Sequence, residues 1–572
     1  MWEALDAVDW RALEAVGSDH SATDVPKVLR RIARADVTTR PEAVARAYAD
    51  LHDLLMASWR AQGRGTDVGA VALPFLVDLA LDPRTVARPD LVDVLVCLAC
   101  DEVGGEAGGT GQAGDSGDSG DSGEADSARE AAWRRQWPRI RRLFDDGDPV
   151  VRRTALQLIA DRTGPLLERW HVETNLSVRV ALLLALGPAA AAEHPGRSTA
   201  AEVRAVLDAA LHGENPVLRV AAVIAAASLD PRSVLRARPM LLELLTDPVL
   251  APEFEEVWYT VHCEIPCLRS DIVARVVELL ECEPAVATAF VTALAEIGSR
   301  IGDAELRRCA VDEAWHLLSA RPSAAAAVLP LAAGLLADPD DDVRYKAAHL
   351  MAVLGPGAAR YADRLAALLD DRGESEFFDG TVGDHARWAL TRIGDPRALP
   401  DLVEQLVAPY RDMQGRGYGL GDPRRPDVAD VLRPLRAHAA ELLPAVREAL
   451  RDEVSRAGWL VGDLREVLHA WGENPLLPGE PGPYPQPWEP PPMEPAQAEA
   501  RVVAYAADGQ WHWMLTTAFD TLARHGPLTP ATREALTGLA AADRRLSEHG
   551  GYPAFLQDEE IRARIDRALA LP

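Results

Sequence analysis

Along most of the chain, apolar residues recur at three- and four-residue steps, the period of an amphipathic helix, while the two-residue alternation of strands is almost absent. Four segments repeat this pattern from a common start: DPVVRRTALQLIA from Asp148, NLSVRVALLLALG from Asn175, NPVLRVAAVIAAA from Asn215 and DDDVRYKAAHLMAVLG from Asp340. Each opens on Asp or Asn, whose side chain can accept from the orphan amides of a first helical turn. In two of them Pro follows, where its missing N–H costs nothing. An apolar residue and an arginine come next: Val151 and Arg152, Val178 and Arg179, Leu218 and Arg219, Val343 and Arg344. The apolar positions beyond them form one buried stripe, in which the small Ala155, Ala181, Ala221 and Ala347 let neighbouring helices approach closely. Gly187 and Gly355 follow the last apolar residue and are expected just past a helix end with positive φ. Degenerate copies end at Gly298 and Gly394. Val178 to Leu218 is 40 residues and Val343 to Val382 is 39, the period of paired-helix solenoids.

These segments resemble HEAT repeats, including the short HEAT-like form first noted in phycobilisome bilin lyases, over about Trp133 to Gly472. The resemblance implies an all-α fold, an α-α superhelix of the ARM/HEAT solenoid type, in which stacked antiparallel helix pairs leave a long concave face. It also implies that Arg152, Arg179, Arg219 and Arg344 are structural, forming a ladder with acids of neighbouring repeats. A second stretch, AQGRGTDVGAVALPFLVDLA from Ala61, resembles a pattern of bacterial HEAT-like proteins through Gln62, Gly63, Thr66, Ala70, Pro74, Phe75 and Leu76, with Arg64 and Gly65 inserted. Lys27 and Lys346 are the only lysines, and plentiful Ala, Arg, Gly and Pro point to a high-GC, actinobacterial source.

Composition divides the chain. Residues 1–100 read as a helical HEAT-like region. Residues 101–128, rich in Gly, Ser and acid with three D-S-G units from Asp115, bury too little apolar surface to order themselves and are expected to be disordered. The solenoid follows over 129–473. Residues 474–495 form a Pro-rich linker, expected as a polyproline II spacer, and 496–572 a helical cap with Thr529 as an N-cap. GRGYGLGDPRRP from Gly415 follows no strand, so its glycines are not a phosphate cradle.

The net charge of −28, from 60 basic and 88 acidic side chains, opposes binding to phosphate backbones or anionic lipid, so nucleic acid and membrane are unlikely partners. No apolar run is long enough to cross a bilayer and the first residues lack a signal peptide's features, which reads as cytoplasmic. Six cysteines in 572 residues do not make a disulfide framework; Cys97 with Cys100 and Cys263 with Cys267 are read as core thiols rather than metal ligands. None of the 14 histidines precedes Glu, which removes the ligand dipeptides of deoxyhypusine hydroxylase, the di-iron enzyme built on HEAT repeats. Walker A, G-x-S-x-G and H-E-x-x-H motifs are absent. His262, Cys263, Glu264 and Cys267 form no nucleophile pair on a helix. Asp384 with His385, and His512 between Trp511 and Trp513, are read as packing. No catalytic, cofactor or metal residue is assigned.

Binding is favoured by one loop, DDRGESEFFDG from Asp370, where Phe377 and Phe378 stand among Glu374, Glu376 and Asp379. Adjacent aromatics can anchor a partner while acids steer a basic one; alternatively the rings tuck back onto the solenoid. The acidic run Asp338, Asp340, Asp341 and Asp342 reads as a turn and N-cap. The expectation is a non-enzymatic scaffold or adaptor that uses the concave face of the solenoid to hold a basic protein or peptide, and that inhibits or masks it in the manner of an immunity protein. The alternatives are an enzyme or accessory of the HEAT-like lyase class, or a HEAT-like nucleic-acid-binding protein with a local basic groove.

Overall fold

The structure, a computed structural model, describes residues 1–13, 21–36, 39–60, 68–100, 122–193, 198–259, 266–411, 422–456, 458, 460–480 and 491–571. Among them there is no strand, only isolated bridges joining Tyr259 to Pro266 and Glu374 to Thr381. The repeated segments and their neighbours fold as α1 (Pro149–Ala155), α2 (Leu176–Ala192), α3 (Pro216–Ala227), α4 (Pro284–Ile301), α5 (Ala304–Ala320), α6 (Ala325–Leu335), α7 (Asp341–Leu354) and α8 (Val382–Ile393), and the C-terminal helix is α9 (Gly551–Ala570).

Helices start where the side chains can cap them. Asp148 accepts from the Val150 amide at 2.9 Å, Asn175 from Val178 at 3.2 Å, Asn215 from Leu218 at 2.9 Å and Asp340 from Val343 at 3.2 Å. The apolar residues that follow, Val151, Val178, Leu218 and Val343, are buried, as are Ala155, Ala221 and Ala347; Ala181 is half-buried.

Two glycines stand elsewhere than expected. Gly187 lies inside α2, which runs on through Pro188 to Ala192. A Cβ there would sit 2.2 Å from the Ala225 carbonyl of α3, so the position serves close helix approach, not a turn. Gly298 likewise lies inside α4, and the helix ends at Gly302 with φ +77°. Gly355 and Gly394 do follow helix ends with positive φ.

The chain divides into two compact units, Met1–Cys282 and Glu283–Pro572, and the division falls inside the stretch 129–473 expected as one solenoid. In the first unit α2 packs on α1 and α3. In the second, α4 pairs with α5 and α6 with α7; α5, α7 and α8 then lie in succession, with α4 beside α6. Each unit is thus built of packed helix pairs, an all-α fold of the α-α superhelix class.

The expected boundaries shift at both insertions. A helix spans Ser122–Ile140, so the last seven residues of 101–128 are helical rather than disordered. Glu124, Ala125 and Ala128 favour helix, and the strong helix formers just downstream, Arg129, Glu130, Ala131 and Ala132, continue it. Residues 101–121 lie outside the described residues, as do Gln62, Gly63, Thr66, His262, Cys263, Glu264 and most of the loop from Gly415. A helix already begins at Pro495, and with Leu515–Leu522, Pro530–Ala541 and α9 it encloses Val502, Phe519, Leu536, Ile561 and Ile565. The expected cap also docks through α9 onto α5 and α7. Phe555 stacks on Trp315 at 5.4 Å and Tyr552 meets Trp388 edge-on at 5.2 Å.

Candidate functional site

The loop before α8 is held from several sides. Val382 donates to the Gly373 carbonyl at 2.9 Å and Gly383 to the Asp371 carbonyl at 3.0 Å, while Thr381 and Asp384 cap α8 reciprocally. Asp384 also receives Arg425 at 2.8 Å. On the α7 side, the Ser375 hydroxyl donates to Asp342 at 2.6 Å and the Tyr345 hydroxyl to the Asp379 carbonyl at 2.6 Å.

On this frame the two phenylalanines take opposite roles. Phe378 is half-buried and stacks on Tyr345, with centroids 6.5 Å apart and planes 12° from parallel. Phe377 projects outward and is 73% exposed. One ring fixes the loop and the other is displayed. Glu374, Glu376 and Asp379 are exposed around it. The segment 370–380 carries five carboxylates against one arginine.

The repeat arginines occupy three kinds of site. Arg152 grips Glu173 with two nitrogens at 2.9 and 3.0 Å and donates to the Asp146 carbonyl at 2.7 Å. Arg344 does the same to Asp371, at 2.8 and 3.3 Å, and to the Asp338 carbonyl at 2.8 Å. Arg179 lies over the Trp170 ring at 4.3 Å, and the buried Nε of Arg219 has no hydrogen-bond partner. The acids in these pairs carry a second load. Glu173 accepts from the Asn175 amide, Asp371 from Gly373, Asp146 from Asp148 and Asp338 from Asp340, each two residues downstream. Asp146 and Asp338 are themselves gripped by Arg88 and Arg307. An arginine, an acid and the start of the next helix therefore form one node, and the node recurs in both units. Of its acids only Asp338 was named in the sequence, as part of a turn; the signal is an acid two positions before the caps Asp148, Asn175 and Asp340.

A further cluster, whose members His385, Lys346 and Asp342 the sequence marks only separately, joins α5, α7, α8 and α9. His349 and His385 are fully buried and face each other through their Nδ1 atoms at 3.3 Å. Trp315, Tyr345 and Trp388 surround them. Burial holds His349 well below the usual imidazole range, with His385 and Arg424 adding to the effect. Burial likewise brings His385 down to about 3 against the pull of Asp384. Both rings are neutral at physiological pH. Beside them, Lys346 bridges Asp312 at 2.7 Å and Asp342 at 2.9 Å. The register between repeats could have shown this face: Lys346 and His349 stand three and six residues after Val343, and His385 and Trp388 three and six after Val382.

Trp511 packs edge-on against Tyr505, but His512 and Trp513 are exposed and stack on each other at 5.8 Å, so that trio is only partly core. Cys267 and Cys309 are buried and Cys282 is exposed. Among the described residues no group of three or more His, Cys, Asp or Glu is placed to hold a metal ion, and no helix is long and apolar enough to cross a membrane.

No protein-family model and no curated protein matches the chain. Among solved structures it is similar to a homology model of the full-length AP-3 complex in an intermediate open conformation, at 10% identity over 99% of this chain and 94% of that one, with a TM-score of 0.32. It is also similar to the UNC-45 chaperone, whose structure describes features critical for binding and folding muscle myosin, at 12% identity over 96% of this chain and 56% of that one, with a TM-score of 0.26. At these TM-scores neither likeness bears on a partner or an activity.

Proposed function

We propose that the protein is a protein-binding scaffold and that the loop before α8 holds a basic segment of its partner, masking it from other contacts. The observation that carries this reading is Phe377, 73% exposed on a loop whose other aromatic, Phe378, is spent on fixing it. A large apolar ring held out at low conformational freedom loses little entropy on binding, which is what interface anchors require. Glu374, Glu376 and Asp379 around it steer a positively charged segment and exclude an acidic one. The reading places the contact at one edge of the second unit's helix pairs rather than along a whole concave face.

Immobilised peptides graded in Lys and Arg content, probed with the wild-type protein and with Phe377→Ala at low and high salt, test it. Basic peptides should be retained preferentially and released by salt, with the Phe377→Ala protein about tenfold weaker. Equal retention by the two proteins contradicts the proposal.

A further inference from the structure

The node of arginine, acid and helix start lacks its acid at one step of the first unit. Where α1 meets α2 the acid is Glu173, two residues before the cap Asn175, and it takes two nitrogens of Arg152 together with the Asn175 amide. One repeat further on the arginine is Arg179, the cap is Asn215, and the acid's place falls to Gly213. The backbone does not demand glycine there, since Gly213 is not among the residues with positive φ.

Three donors are left over. Arg179 has no acid and lies over the Trp170 ring at 4.3 Å. Arg219 stands where Arg152 and Arg344 reach back to the carbonyls of Asp146 and Asp338, yet its side chain makes no hydrogen bond or ion pair among the described residues. The Asn215 amide has no acceptor among the described residues, although its counterparts at Asp148, Asn175 and Asp340 each donate to the node's acid. In both arginines Nε is buried, while the terminal nitrogens keep contact with solvent. Glu214, the acid next to Gly213, is exposed and pairs with neither arginine.

Helix register brings the two cations together. The helix Ser198–Leu211 lies between α2 and α3 in the chain and packs on both, so α2 and α3 run the same way. Gly187 abuts Ala225; Arg179 stands eight residues before the first and Arg219 six before the second. At about 1.5 Å and about 100° per residue, the two arginines differ by about 3 Å along the axes and turn to the same face. Two guanidinium groups side by side with no counter-charge repel each other, and an anion between them relieves this.

We infer that the first unit binds a carboxylate from outside the chain at this step, the glutamate or aspartate side chain of an acidic peptide, which takes the place that Glu173 fills one repeat earlier. Arg179 and Arg219 donate through their terminal nitrogens and the Asn215 amide supplies a further donor. The planar fork of Arg179, held against Trp170, matches a planar carboxylate, as Arg152 matches Glu173. The inference goes beyond the loop before α8 and does not depend on it.

The test is fluorescence anisotropy of a labelled hexaglutamate peptide titrated with the full-length protein at about 0.15 M salt, where charges beyond about 8 Å are screened. Anisotropy should rise saturably, and not with hexaglutamine. Arg179→Gln and Arg219→Gln should each weaken binding about tenfold. Gly213→Glu supplies the missing acid within the chain and should also weaken binding about tenfold, with the melting temperature kept or raised. A Cβ there lies 3.3 Å from the Ala209 and Ala210 carbonyls, so if that variant loses stability the two glutamine variants decide the matter. Phe377→Ala should bind hexaglutamate as the wild type does, which separates this site from the loop. Displacement of the peptide by glutarate at matched carboxylate concentration extends the site to free dicarboxylates, and displacement only in large excess assigns it to peptides. Absence of saturable binding, equal affinity of the wild type and Arg179→Gln, or inorganic phosphate displacing the peptide better than glutarate overturns the inference.

Discussion

Glu173 shows how much a single side chain can carry in this fold. Its side chain is 1% exposed, and it receives Arg152, Arg169 and the amides of Thr174 and Asn175. Burial works against its charge, but the hydrogen bonds from Arg152, Asn175 and Arg169 outweigh it and hold the carboxyl at about 2. Glu173→Gln leaves two arginines facing an uncharged amide in a buried site and should cost about 3 kcal/mol in urea unfolding at neutral pH. Because the folded value lies below the unfolded one, the carboxylate's contribution is fully present above the ordinary glutamate value of 4.5 and is lost as pH falls through about 2. The gap between wild type and Glu173→Gln should therefore narrow as pH is lowered from 5 toward 2; a gap that stays constant contradicts the assignment. Arg152 and Arg344 were legible as members of a repeated pattern. Their acids were not, because a repeat advertises its helices and not the turns between them, and Arg179, which looks identical in sequence, turns to Trp170 instead.

At the scale of helices, every named start was legible but only some ends were: Gly355 and Gly394 mark ends, Gly187 and Gly298 do not. A cap is a local bargain between one side chain and the next two or three amides, so Asp148, Asn175, Asn215 and Asp340 could be assigned from composition alone. Asn215→Ala should lower stability by about 1 kcal/mol while Asn215→Asp leaves it nearly unchanged, read as the shift in urea midpoint. Gly187 depends on a neighbour instead. Its sequence context matches a helix terminus, yet what selects glycine is the Ala225 carbonyl of α3, a contact that exists only once the helices pair. Gly187→Ala adds a good helix former inside a helix, which in isolation stabilises by about 1 kcal/mol. Here the added methyl must push α2 away from α3, and the net effect should be destabilising by about 2 kcal/mol. A raised melting temperature in that variant would show that the two helices can separate freely. The His349 and His385 pair belongs to the same class of feature: each histidine reads as ordinary core until α7 and α8 are set side by side.

For the whole molecule, the helical class followed from a period of about forty residues, which no other common architecture shares with paired amphipathic helices. Its division at Cys282 and the return of α9 to α5 and α7 did not follow, since both depend on contacts between segments far apart in sequence. Tyr552 and Phe555 reach Trp388 and Trp315 across more than 150 residues, and no periodicity marks them. Of the binding loop, the acids and both phenylalanines were visible; which ring is displayed was decided by Tyr345, whose face takes Phe378. The most direct test of the account is hydrogen exchange of the full-length protein with and without the tightest-binding basic peptide. Protection concentrated on residues 370–384 and on the first turns of α7 is the predicted result, absent in Phe377→Ala. Protection centred on α2 and α3, with the loop before α8 unaffected, would contradict it.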